Sequence, residues 1–340
     1  MENSLACKAL LKPLRDALYH YDPVTVQQQL INILADDALV QLSYPFEAMQ
    51  GADAFYGMAY QPLQLAIPDL ERRETIVIAG QPENGSQWVG CAGYYTGRFI
   101  RPWLDIPPTG HQVSLRFHEF YQIKENKVIE VQALWDIPEV MLQAGAWPMS
   151  PSLGREWHVP GPATQDGIIN TPQSPVCTAQ SLKLVSDMLS HLGNYAVGGV
   201  DAMRLQDFWH PHFSWYGPSG IGTTRGIEGF RHWHQIPFLN GMPDRVGDIE
   251  RGNLFSEGEY VGFTAWPGMS MTISGDGFLG IAPSNQEITM RSLDFWRCEN
   301  GMIRENWVLV DLLDVYQQIG VDVFARLREF NKSRYPVLAQ

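Results

Sequence analysis

The stretch "GMIRENWVLVDLLDVYQQIG", residues 301–320, reads as a turn, a strand that ends on an acid, and a helix. Leu312, Val315 and Ile319 fall at helical spacing, and Gly320 stands where a helix C-cap belongs. Its partner is "NKVIEVQALWDIPEVMLQAG", residues 126–145, earlier by 311 − 136 = 175 positions. Around these blocks the pairs Arg116/Arg291, Phe120/Phe295, Glu130/Glu305, Leu134/Leu309, Asp136/Asp311, Val140/Val315, Gln143/Gln318 and Gly145/Gly320 keep that separation. So do Gly51/Gly226, Phe55/Phe230, Pro62/Pro237, Pro68/Pro243 and Asp69/Asp244 in "GADAFYGMAYQPLQLAIPD" and "GIEGFRHWHQIPFLNGMPD". A weaker echo joins "LKPLRDALYH" at Leu11 to "LKLVSDMLSH" at Leu182. One register held across separated blocks marks a tandem duplication.

Each copy runs from helices to a series of β-rich segments, which is an α+β order. A curved antiparallel sheet over helices would leave a cone with a pocket inside. The expected division is residues 1–150, a linker at 151–177 rich in Pro, Gly, Ser and Thr, and residues 178–335. Trp157 is placed to pin that linker to a domain.

The chain has 340 residues, 45% hydrophobic and 18% charged, with a net charge of −13. That balance is unsuited to a nucleic-acid surface or to acidic lipid. Cys7, Cys91, Cys177 and Cys298 form no zinc spacing or disulfide framework, and no apolar run reaches a membrane span. The start of the chain lacks the pattern of a signal peptide, so a reducing cytoplasm is the expected address.

The run Arg297, Gly301, Ile303, Glu305, Trp307, Asp311, Gln318, Gly320, together with "GMPD" at Gly241, resembles the signature of SnoaL-like polyketide cyclases. These belong to the nuclear transport factor 2-like superfamily. The resemblance implies two tandem nuclear transport factor 2-like cone-shaped α+β barrels. It also implies ring closure of a hydrophobic carbonyl compound without metal or organic cofactor. The first copy departs from the pattern, with Gln122, Asn126 and Gln132 facing Arg297, Gly301 and Trp307.

Alternate strand residues share a face, so Trp307, Leu309 and Asp311 point one way, as do Gln132, Leu134 and Asp136. If that face lined the cone, desolvation would raise each Asp toward a useful general base. It could then remove a proton alpha to a carbonyl. Arg297 is the expected donor to the developing enolate, and Phe295 shares its face. Trp307, Trp215, Tyr216 and His234 are expected to shape the second pocket. His118 with Asp136 forms a candidate acid/base pair in the first. The competing reading makes Asp311 a helix N-cap. The resemblance favours catalysis for Asp311, and both readings stay open for Asp136. His210/His212 and His232/His234 lack a third ligand at compatible spacing, so no metal site is expected.

The leading function is a lyase or isomerase of the cyclase kind. Hydrolysis or dehydration is the second enzyme class, and a non-catalytic small-molecule binder or scaffold is the third. Related single domains pair through the outer faces of their sheets. The two halves are therefore expected to form an intramolecular pseudo-dimer, leaving the chain monomeric or weakly dimeric.

Overall fold

The computed structural model describes residues 2–247 and 252–332; positions 333–335 of the expected second domain lie outside the described residues. In the first half, helices Glu2–Tyr19 and Pro23–Ile33 lead into β1 (Leu34–Leu42) and β2 (Glu47–Gln50). A helix over 51–66 follows, then β3 (Glu71–Gly80), β4 (Gln87–Arg98), β5 (Gln112–Lys124), β6 (Lys127–Trp135) and helix Ile137–Gln143. The second half repeats the plan with helices Pro175–Leu192 and Tyr195–Ala202, then β7 (Trp209–Tyr216) and β8 (Thr223–Arg225). After a helix over 226–241 come β9 (Val246–Gly247), β10 (Asn253–Glu257), β11 (Tyr260–Thr272), β12 (Glu287–Glu299) and β13 (Met302–Val310). Helices Leu312–Gln318 and Val323–Asn331 close it.

The duplication holds in three dimensions. The sheets run β2-β1-β6-β5-β4-β3 and β10-β11-β12-β13-β7-β8, the same order read from opposite ends, with β9 added on β11. In each, only the contact of the first long strand with the last is parallel among the described ladders. Both middle helices open into a π turn, at Tyr56–Tyr60 and Arg231–Gln235, just before Pro62 and Pro237. A proline inside a helix brings a ring and no N–H, and the wider turn makes room for it. Asp69 and Asp244 end these helices alike, accepting from the N–H of Arg98 at 2.7 Å and of Thr272 at 2.8 Å. The expected α+β pair of nuclear transport factor 2-like cones is what the chain forms.

The two sheets pack back to back. Phe120 stacks on Phe295 with centroids 4.9 Å apart, and these are equivalent residues of the two copies. His118 meets the carbonyl of Leu293, its own equivalent, at 2.7 Å. A residue that touches its own counterpart lies on a pseudo-two-fold axis, the hallmark of an isologous contact. Gly90 permits the close approach: a Cβ there would lie 2.8 Å from Phe120 and 2.9 Å from Phe295. Lys8 and Glu257 add a buried ion pair between the halves at 2.6 Å.

The linker clamps this seam. The N–H of Gly154 donates to Ile221 O at 2.9 Å, and Trp157 Nε1 donates to Thr223 Oγ1 at 3.0 Å, pinning the linker to the second half. Further on, Val77 N–H donates to Gly167 O at 2.9 Å, tying it to the edge of the first sheet.

Candidate functional site

Inside each cone, the facing residues of the two central strands are Phe117, Glu119, Tyr121 and Ser292, Asp294, Trp296. The two interiors differ in bulk. In the first, Phe117, Trp135 and Tyr60 occupy the positions of Ser292, Val310 and Gln235 in the second. The first cone is accordingly filled. Glu119 lies at its centre, fully buried, and accepts from Tyr95 and Trp135 at 2.9 Å and from Tyr121 at 2.5 Å. Arg72 pairs with it, and itself lies over the Phe117 ring at 4.0 Å. A buried carboxylate so completely partnered is neutralised and fixed.

The second cone is open. Its smaller side chains leave a cavity of about 480 Å³, walled by Trp209, Trp215, Phe230, Phe238, Phe263 and Trp296. Asp294 occupies the position of Glu119 but, among the described residues, has Ser292 Oγ as its only partner, at 2.7 Å. Burial pushes its carboxyl up to about 7, with the Ser292 bond opposing. His234 is carried into the same cavity by the π turn and stacks on Trp215 at 4.0 Å. Burial, helped by the nearby Arg245 cation, pushes its imidazole down to about 3. At neutral pH it is therefore an uncharged ring with one donor and one acceptor nitrogen. An acid pushed up to about 7 and a neutral imidazole lining one cavity are suited to moving protons.

Of the residues expected from sequence, Trp215 and His234 line this cavity. Asp311, Asp136, Arg297, His118, Trp307, Tyr216 and Phe295 do not line it. The expected face was the opposite one: Asn306, Val308 and Val310 look into the cone, while Trp307 and Leu309 pack against the other half. Asp311 caps the helix that follows, accepting from Asp314 N–H at 3.2 Å, and it also takes Tyr44 N–H at 2.9 Å and Arg291 at 3.0 Å. Asp136 mirrors it, accepting from Ser219 N–H at 2.9 Å and from Arg116 at 3.2 Å. The two acids share a void of about 10 Å³, enough for at most one water and not for a substrate. Their placement removes the geometric ground for a general-base role.

Arg297 is taken up by Glu305 at 2.6 Å and Glu299 at 2.9 Å rather than turned toward a ligand. Trp307 donates to Pro160 O at 2.9 Å, and Tyr216 donates to Glu305 at 3.2 Å. His118 is sealed in the seam, its Nε2 without a partner, and burial with Arg116 nearby pushes it down to about 3. It sits apart from Asp136 in bonding terms and forms no acid/base pair with it among the described contacts. His210 and His212 place their rings 5.8 Å apart, and no group of three or more His, Cys, Asp or Glu suited to a metal occurs among the described residues. No described helix is long and apolar enough to cross a membrane.

Sequence reading passed over Asp294, Arg245, Trp209 and Trp296. A comparison of the copies held the signal, because "FHEFY" and "SLDFW" keep an acid at the same position while its surroundings shrink.

The model of the SnoaL-like polyketide cyclase family matches residues 23–144 and again 196–319. No curated protein matches the chain. Among solved structures, AclR from Streptomyces galilaeus aligns at 20% identity over 42% of this chain and 83% of its own, with a TM-score of 0.35. A SnoaL-like protein from Jannaschia sp. CCS1 aligns at 24% identity over 44% of this chain and 96% of its own, with a TM-score of 0.35. IdmH from Streptomyces antibioticus aligns at 16% identity over 41% of this chain and 97% of its own, with a TM-score of 0.34.

Proposed function

We propose a function from one premise: the chain belongs to the SnoaL-like polyketide cyclase family, with one family domain in each half. The second half is the working one, a cyclase acting on a hydrophobic carbonyl compound held in the aromatic cavity. Asp294, ionised, removes a proton from the carbon alpha to a carbonyl. The resulting enolate attacks a second carbonyl of the same molecule, and one carbon–carbon bond forms. The proton held on Asp294 then passes to the new alkoxide, so no atom is gained or lost. The neutral His234 ring supplies an N–H to the oxygen on which charge develops.

One observation carries this reading. The same strand position holds a carboxyl locked by three neutral donors and a cation in the first half, and one left open to a cavity in the second. Locking an acid makes a scaffold, and freeing it costs stability that only chemistry or binding would justify. The first half thereby serves as a structural partner. With the outer faces of both sheets used internally, the chain is monomeric or weakly dimeric.

The test is to give the second cone the first cone's filling. Ser292→Phe with Val310→Trp should abolish consumption of aromatic and polycyclic polyketones while leaving the melting temperature near that of wild type. Persistent turnover in a folded double variant would place the chemistry elsewhere.

A further inference from the structure

Arg245 follows the turn fixed by Asp244 and lines the same cavity. Its equivalent in the first half is Leu70, buried in that half's core. Where the filled cone has a leucine, the open cone has a guanidinium. Arg245 donates to Leu192 O at 3.3 Å, and its Nε is sealed from solvent without a partner. Its Cζ lies 6.0 Å from the centre of the Phe238 ring. Among the described residues no carboxylate pairs with it. Among the described residues the contrast with the fully buried arginines is sharp: Arg72, Arg116 and Arg297 each meet a carboxylate within 3.2 Å.

A guanidinium keeps its charge at any ordinary pH, so it cannot relieve its burial by losing a proton, as Asp294 can by gaining one. An uncompensated cation in an aromatic wall is costly, and a bound anion removes that cost. No bond joins Arg245 to Asp294, so the cation and the acid are separate features of one cavity.

We propose that Arg245 is an anion-recognition residue, and that the compound bound in the second cavity carries a carboxylate on an otherwise apolar aromatic frame. This rests on the cavity being the functional site and adds the class of compound it selects. The planar, two-pronged guanidinium suits a carboxylate, which it can grip by two parallel bonds. The neutral state of His234 leaves the positive field at that wall to Arg245 alone among the titratable groups lining the cavity.

Titration calorimetry with 2-naphthoate and its methyl ester at pH 7.5 tests this. The two probes share a frame and differ in charge. The acid should bind wild-type protein at least about tenfold more tightly than the ester, as expected for bonds to a charged group. Arg245→Met should abolish that preference while still binding the ester, and Arg245→Lys should keep part of it. Equal binding of acid and ester by wild type overturns the anion inference and leaves the cavity reading intact. Binding of neither probe overturns both. A preference that survives in Arg245→Met shows the anion to be held elsewhere and also overturns the inference.

Discussion

Asp294→Asn removes the buried carboxyl that the second cavity holds without a cation, and its effect on stability can be worked out in sign and size. Burial raises the carboxyl from 3.8 to about 7. That rise of about 3 pH units, at about 1.4 kcal/mol each, comes to roughly 4 kcal/mol. The folded chain holds this proton more tightly than the unfolded chain does. Below pH 4 both states are protonated and there is no penalty. Between pH 4 and 7 only the folded state keeps the proton, so stability falls as pH rises. Above pH 7 the whole penalty is in force. Asparagine does not titrate, so the variant escapes it. Chemical denaturation of both proteins from pH 4 to pH 8 gives the difference in stability, in which every other titrating group cancels. The variant's advantage should grow by roughly 4 kcal/mol across that range. A flat difference would mean that Asp294 is not both buried and unpaired. A difference that falls with pH would mean that a cation holds the carboxylate.

The corresponding acid of the first half should behave oppositely. Glu119→Ala leaves Arg72 buried without its main partner and should cost about 3–5 kcal/mol in denaturation, with activity per folded molecule unchanged. Asp311→Ala strips the acceptor from Tyr44 N–H and the cap from helix Leu312–Gln318, and should cost about 2 kcal/mol, read as an earlier unfolding midpoint. Its catalytic rate at a temperature where it is folded should match wild type. Turnover by wild type should rise with pH through about 7 and then level off, following loss of the Asp294 proton.

The repeat made the fold legible, because motifs in one register imply the same elements twice. It did not reveal which face of each strand looks inward. On β13, Trp307 and Leu309 alternate with Val308 and Val310; the first three are buried and Val310 is partly buried. A strand covered on both sides loses the alternation that identifies a core face. The duplication also misdirected the choice of residues. Arg116/Arg291, Phe120/Phe295, Leu134/Leu309 and Asp136/Asp311 match because an isologous seam needs the same patch from both halves. On the sheet strands, residues identical in the two copies therefore marked the contact between them. The cavity was written in the differences, where Phe117, Trp135 and Tyr60 give way to Ser292, Val310 and Gln235. The pairing of the copies through their sheets, not a catalytic demand, keeps Asp311 at the end of its apolar run.

The central claim is that Asp294, and not the seam acids, abstracts a proton alpha to a carbonyl. Proton NMR in D2O can follow exchange at the alpha carbon of aromatic ketones, beginning with 2-tetralone, in the presence of wild type, Asp294→Asn and Asp311→Asn. The account predicts acceleration by wild type, a loss on the order of 100-fold or more in Asp294→Asn, and near-wild-type rates in Asp311→Asn. Exchange that survives in Asp294→Asn, or is lost in a folded Asp311→Asn, would contradict it.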